Sequence, residues 1–204
     1  MTKRRTNPYH SSLTSINPLD ISFEIEKFES NGNIVLRNDL CSMKKLPDEF
    51  RNCDILYSEP AWKSGYEKFI ARAKKEQSQY QEYIMAINDV ILHEKRPIWI
   101  ILGSHILSKF KKLDQIIPIN LHGYMTNLCG WNDLHDYGTF KTNYDFVAKL
   151  AEKFSCVGDF CAGYGNTGRI FQEHQKKFIL SDINGNCIYQ IAKSLMGYKM
   201  ITDD

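Results

Sequence analysis

Six cysteines are scattered through this 204-residue chain, yet no two form a Cys-x-x-Cys pair and none joins a histidine at zinc-ligand spacing. That excludes a zinc-ribbon or thioredoxin-type reading and leaves reduced, mostly buried thiols of a cytosolic protein. Net charge is nearly absent as well: 26 Lys and Arg stand against 24 Asp and Glu. At +2 the molecule is no uniformly basic nucleic-acid binder, and any surface of that kind has to be local. No apolar run approaches a membrane span, and no apolar segment follows the basic Lys3-Arg4-Arg5, which excludes a secretory signal. Internal repeats, low-complexity tracts and domain boundaries are all missing. What is present is 43% hydrophobic and 12% aromatic residues, enough for one α/β domain with a full core.

The most informative stretch is Cys156 to Phe171, which reads as a short buried strand, a glycine-rich turn (Gly163, Gly165, Gly168) and the start of a helix. The next apolar run, Phe178-Ile179-Leu180, ends in Ser181-Asp182. An acid therefore lies about 20 residues beyond the first turn glycine, the recurrent geometry for holding an adenosine. Glycines let the backbone approach a ligand, the helix start offers free N–H groups, and the acid can accept from ribose hydroxyls. The spacing suits a dinucleotide or S-adenosylmethionine.

The rest of the chain alternates strands and helices. Residues 1–20 are expected to form a flexible, partly basic arm, and 21–204 a single domain. Strands are expected over 21–28, 34–37, 54–57, 97–102, 116–121 and 198–201. Asn31-Gly32 should make the first hairpin turn. Helices are expected over 41–46, 66–93, 106–113, 143–154 and 186–196. Residues 122–140, rich in aromatic, amide and imidazole groups and poor in periodicity, read as a recognition loop. A second constellation is Glu59-Pro60-Ala61-Trp62, an acid, a rigid carbonyl and a flat ring at the end of a buried strand.

Together these motifs resemble the amino-methyltransferases of DNA, the N6-adenine and N4-cytosine enzymes, in their permuted, beta-class-like order. The resemblance is carried by Asn38-Asp39-Leu40-Cys41, Leu46-Pro47-Asp48, Asp54 to Trp62, Lys141-Thr142, Asp159 to Gly165 and Ser181-Asp182-Ile183. Where the family usually has Asp, Asn or Ser, this chain has Glu59. Ala61 replaces a second proline, and Thr142 follows the lysine. The resemblance implies a Rossmann-like α/β fold, a doubly wound, mostly parallel sheet with helices on both faces. It implies S-adenosylmethionine as cofactor, held by Asp39, Lys141, Asp159, Phe160, Ala162, Gly163, Gly165 and Asp182, with Asp203 competing with Asp39 for the adenine amine. Glu59 and the Pro60 carbonyl would accept the two protons of a flipped base's exocyclic amine while Trp62 stacks on the ring.

The implied partner is nucleic acid, DNA before RNA and adenine before cytosine, in the setting of restriction–modification. Lys111, Lys112, Tyr124, Asn127 and Trp131 are the expected contacts. A homodimer or a specificity-giving partner would suit so short a recognition segment. No proline precedes a cysteine, which removes the cytosine-C5 chemistry. An NAD-dependent oxidoreductase and a non-catalytic nucleic-acid-binding relative stay open as alternatives.

Overall fold

The computed structural model describes residues 27–43, 45–61, 80–110, 112–121 and 123–198. Within them, eight strands form one sheet in the order β1-β2-β8-β7-β3-β4-β6-β5. They are β1 (Lys27–Ser30), β2 (Asn33–Arg37), β3 (Ile55–Ser58), β4 (Ile98–Leu102), β5 (Gln115–Leu121), β6 (Tyr124–Trp131), β7 (Cys156–Asp159) and β8 (Lys177–Asp182). The five strands from β2 to β4 are mutually parallel, while β1, β6 and β5 run antiparallel to their neighbours. The helices are α1 (Leu40–Met43), α2 (Tyr80–His93), α3 (Asn143–Lys153), α4 (Asn166–Glu173) and α5 (Gly185–Met196).

The central strands are apolar on both faces because helices cover both. Ile55, Tyr57, Trp99, Ile101, Val157, Phe178 and Leu180 pack with Phe146, Leu150, Ile170, Phe171, Ile188 and Ile191 of α3, α4 and α5. The alternate residues, among them Ile34, Leu36, Leu56, Ile98, Ile100 and Ile179, pack with Leu40, Phe50 and the Ile84, Ile87 and Val90 stripe of α2. The period of two along each strand thus splits one sheet between two cores.

Local signals end these elements where chemistry demands. Asn31 and Gly32 take positive φ between β1 and β2, as an Asn-Gly hairpin turn requires. Thr142 caps α3 through a reciprocal box with Asp145. Gly197 ends α5 in the left-handed conformation.

Several expectations are corrected. From Tyr124 to Trp131 the stretch read as a loop is strand β6, paired on both sides by β4 and β5. Its polar and aromatic residues hid the strand pattern. The segment expected as a helix over 106–113 is a 3-10 turn, Ser104–Lys109. The arm, the first part of the 66–93 helix and the 198–201 strand lie outside the described residues, apart from Tyr198, which is in no strand.

Gly168 permits close packing of α4 on the sheet. A Cβ there would stand 2.6 Å from Leu180 Cδ1 and 3.2 Å from Phe178 Cγ, both in a packed core. Gly168→Ala is therefore expected to destabilise the protein by ~1–3 kcal/mol, seen as a lower urea midpoint with an unchanged slope.

Candidate functional site

Strand order reverses between β7 and β3: from β7 the chain winds through α4 to β8, whereas β3 leads to β4 on the other side. In doubly wound sheets a crevice opens at the C-terminal ends of the strands at this switch point. Four of the sequence-flagged acids sit on that edge. Asp159 ends β7, Asp182 ends β8, Asp39 follows β2 and Glu59 follows β3.

Asp159 is 3% exposed and fully engaged. Its carboxylate accepts from Ser58 Oγ at 2.8 Å, Thr167 Oγ1 at 2.7 Å and the Cys161 amide at 3.1 Å. It thus ties the end of β3, the first turn of α4 and the glycine turn to one point. Burial nevertheless raises its carboxyl to about 6, against those hydrogen bonds. Asp182 resembles it: Oδ2 accepts from the Gly163 amide at 2.9 Å and Oδ1 from the Asn184 amide at 2.8 Å. Burial, reinforced by the charge of Asp159, again lifts it to about 6.

Between them runs the glycine turn. Gly163 has φ +50° and Gly165 φ +76°. A Cβ on Gly165 would strike Ile191 Cγ1 at 2.8 Å, so that glycine serves packing. A Cβ on Gly163 would meet nothing within 4 Å, so this glycine borders open space. Phe160 and Ala162 beside it are buried, leaving their backbone rather than their side chains for a ligand.

Glu59 as a residue is exposed, but its carboxyl end turns inward: Oε2 accepts from Asn143 Nδ2 at 3.2 Å, and Asn143 is 5% exposed. Desolvation first, and Asp159 second, push the carboxyl to about 7, with the Asn143 amide opposing. Beside Asn143 the Tyr57 hydroxyl is buried without a well-formed hydrogen bond. Pro60 is buried and Trp62 lies outside the described residues. Asn143 is a site residue that sequence reading missed. It is the first residue of α3, and its link to Glu59 spans 84 positions. Only the nearby Lys141-Thr142 pair flagged this part of the chain.

Asp39 is half-buried and caps α1, accepting from the Cys41 amide and from Ser42 Oγ. Its neighbour Asn38 donates its amide to the Asp182 carbonyl, while Asn38 Nδ2 is buried and unpartnered. Lys141 is exposed at the start of the α3 cap. Asp203 and Lys111 are outside the described residues.

The expected nucleic-acid contacts do not come together. Tyr124 is 68% exposed at the tip of the β5–β6 hairpin, which extends past the C-terminal end of β4, on the edge that carries Glu59. Asn127, by contrast, is buried and donates to Ser104 Oγ. Trp131 is 2% exposed and packs on Phe110 at the opposite edge, so it is a core residue and not a contact surface. Lys112 is exposed but precedes β5 at that same opposite edge. The rest of the supposed loop has a structural purpose. Buried Asp133 accepts from Trp99 Nε1, the Tyr137 hydroxyl and His135, which anchors residues 133–137 to the sheet.

No protein-family model matches the chain, and no curated protein matches it by sequence. Solved structures do share its fold. A Thermus thermophilus protein provisionally designated a DNA modification methylase aligns with a TM-score of 0.54 at 10% identity, over 80% of this chain and 96% of its own. A selenomethionine form of the same protein gives 0.51 at 12% identity and the same coverage. M1.HpyAVI aligns at 0.48 and 11% identity, over 78% of this chain and 96% of its own. The shared fold is an α/β, Rossmann-like one, as the sequence led us to expect. Among the described residues no helix is long and apolar enough to cross a membrane, and no cluster of three or more metal-ligating side chains occurs.

The raised carboxyls set a pH dependence. Asp159 and Asp182 bind protons more tightly folded, at about 6, than an ordinary aspartate at 3.8. Stability should therefore rise as pH falls through 6 towards 4, and be lowest from neutral upward. Thermal midpoints should be higher at pH 5 than at pH 8, and Asp159→Asn should flatten that difference.

Proposed function

We propose that this chain is an S-adenosylmethionine-dependent methyltransferase acting on the exocyclic amine of a base in DNA, with adenine N6 as the target. The observation that carries the reading is the convergence at one switch point of Glu59-Pro60 with the Asp159, Gly163 and Asp182 cradle, two motifs far apart in the chain. The likeness in fold to a protein provisionally designated a DNA modification methylase supports it.

The residues fit the cofactor on three counts. Gly163 presents open space where a side chain would stand. Asn38 Nδ2 and Ser181 Oγ are buried polar atoms without partners beside Asp182. The buried, mutually repelling Asp159 and Asp182 favour a cationic ligand over an anionic one. That last point speaks against the dinucleotide alternative, whose pyrophosphate would be brought towards two buried carboxylates.

On this reading each Asp182 oxygen, already accepting one amide, has a lone pair left for a ribose hydroxyl. Asp39 keeps acceptor capacity for the adenine amine. Asp159 acts by holding the turn and by its charge. Lys141 would hold the carboxylate end. The cofactor supplies an activated methyl group on a sulfonium. The protein's task is to make a poor amine nucleophile attack it, since that lone pair is delocalised into the base. Glu59 and the Pro60 carbonyl would accept hydrogen bonds from the two amine N–H groups, which would turn the lone pair towards the methyl. Glu59, held near 7, can also take the proton that the product sheds. It is one methylene longer than the usual Asp, and the Asn143 bond fixes where that extra reach ends. Trp62 would stack on the base. DNA would meet the edge bearing Tyr124. A homodimer or a specificity partner would supply what so small a reading surface lacks.

Calorimetric titration is the direct test. S-adenosylmethionine should bind and NAD should not. Asp182→Ala should weaken binding about 10–100-fold, the cost of charged hydrogen bonds. Gly163→Ala should also weaken it, and because Gly163 holds φ +50° the substitution should cost ~1–2 kcal/mol of fold stability besides. Binding to neither compound would overturn the reading.

A second experiment addresses chemistry. Methyl transfer to adenine-containing duplex DNA should fall on the acid side of pH 7, and Glu59→Gln should lower kcat by ~10²-fold or more while cofactor binding persists. Cofactor binding with no transfer to any DNA would instead favour the non-catalytic relative.

A further inference from the structure

Away from the switch point, at the N-terminal ends of β3 and β7, two thiols face one another. Cys53 Sγ and Cys156 Sγ lie 3.9 Å apart, sharing a hydrogen bond but not a covalent one. The residues are 103 positions apart in sequence and are brought together only by the pairing of the two central strands. Nothing in the proposed methyl transfer uses them. We propose that Cys156 and Cys53 form an oxidant-responsive dithiol, in which a peroxide modifies Cys156 and Cys53 resolves it to a disulfide across the centre of the sheet.

Three features of the surroundings carry this. First, access is unequal. Cys53 is 4% exposed, with its sulfur 3.0 Å from where a Gly158 Cβ would stand, whereas Cys156 is only partly buried. An attacking and a resolving position are thereby defined. Second, the backbone is fixed on both sides. Asp54 Oδ2 accepts from the Ser155 and Cys156 amides at 2.8 and 3.0 Å, and the Asp54 amide donates to the Cys156 carbonyl at 2.9 Å. Closing the sulfurs to the ~2.05 Å of a disulfide needs side-chain rotation rather than strand movement. Third, the Cys53 thiol, and more weakly the Arg96 guanidinium and the Lys177 ammonium, favour a thiolate at Cys156. They outweigh partial burial and the Asp54 charge, so its thiol is lowered while that of Cys53 is raised. Such a partly exposed thiolate beside cations is the kind that oxidants reach first. Gly158 adds room, since any side chain there would occupy the space of Cys53, Phe50 and Leu56.

The chemistry balances. The Cys156 thiolate attacks one peroxide oxygen and breaks the O–O bond. Hydroxide leaves and takes a proton to become water, and Cys156 is now a sulfenic acid. The Cys53 sulfur then attacks the Cys156 sulfur, breaking the S–O bond, and a second water departs with the Cys53 proton. Two thiols are oxidised by two electrons, and one peroxide is reduced to two waters. Thiol reductants reverse the reaction.

The test uses the full chain without cofactor. Purified, reduced protein is treated with hydrogen peroxide, and free thiols are then blocked under denaturing conditions. Intact mass and non-reducing peptide mapping follow. The expected result is loss of two hydrogen atoms and one linked peptide pair, Cys53 with Cys156, with ~10-fold faster loss of the Cys156 thiol than of the buried Cys129 and Cys187 thiols. In Cys53→Ala, checked for folding by circular dichroism, Cys156 should stop at a sulfenic acid that a cyclic diketone traps. Persistence of the Cys156 thiol, its pairing with Cys41 or Cys161, or over-oxidation without a link in the unsubstituted protein would each overturn the proposal. None of these outcomes depends on methyltransferase activity.

Discussion

A single buried carboxylate holds the middle of this molecule in register. Asp159 receives Ser58, Thr167 and the Cys161 amide, and those groups belong to the strand on one side of the switch point, the helix beyond the turn, and the turn itself. A carboxylate in so dry a place costs free energy unless its lone pairs are filled. The three donors fill them, and they in turn fix the distance between β3 and the glycine turn. Without that node, Glu59 and Gly163 would sit on separate elements with no shared reference point. Burial lifts both Asp182 and Glu59, and the negative potential of the node adds to it.

From that constraint the rest of the arrangement follows in layers. The two-faced sheet supplies rigidity, with Trp99 and Ile55 fully buried on one side and Leu56 and Ile98 on the other. Helix α3, started by its Thr142–Asp145 box, delivers Asn143 to the inward-turned end of Glu59. A carboxyl near 7 at a crevice mouth is unusual for an exposed residue. It arises here because the carboxyl end is desolvated where it turns in to Asn143, with the charge of Asp159 adding to that.

How much of this was legible in the chain differs by element. The central strands, the Asn31-Gly32 turn, the glycine turn and the acids at strand ends were readable, since each depends on short-range pattern. The structure brings Asp159, Asp182 and Glu59 to the ends of neighbouring strands at one sheet edge. What could not be read were links set by the fold alone. Asn143 looks like any first residue of a helix until β3 is placed beside it. Residues 122–140 looked like a surface loop because Asn, His and Asp abound there. In fact Thr126 donates to a β4 carbonyl, Asn127 donates to Ser104, and Asp133 gathers Trp99, Tyr137 and His135. Polar residues whose partners lie on other strands mimic solvent exposure in sequence. Trp131 was misassigned for the same reason, its strand hidden by its polar neighbours.

The order of the strands has a consequence for how the chain is made. The hairpin of β1 and β2 leaves the ribosome early, but its parallel partner β8 comes about 145 residues later, as the Asn33–Phe178 bond measures. β3 likewise waits for β7. During synthesis the growing chain therefore holds two partial sheets, each with an open, apolar inner edge, until the last quarter of the sequence arrives to stitch them. Such late, long-range pairing slows folding and exposes edges that can pair with the wrong chain. The nascent polypeptide should thus depend on chaperone shielding more heavily than a protein of this size with sequential strand pairing.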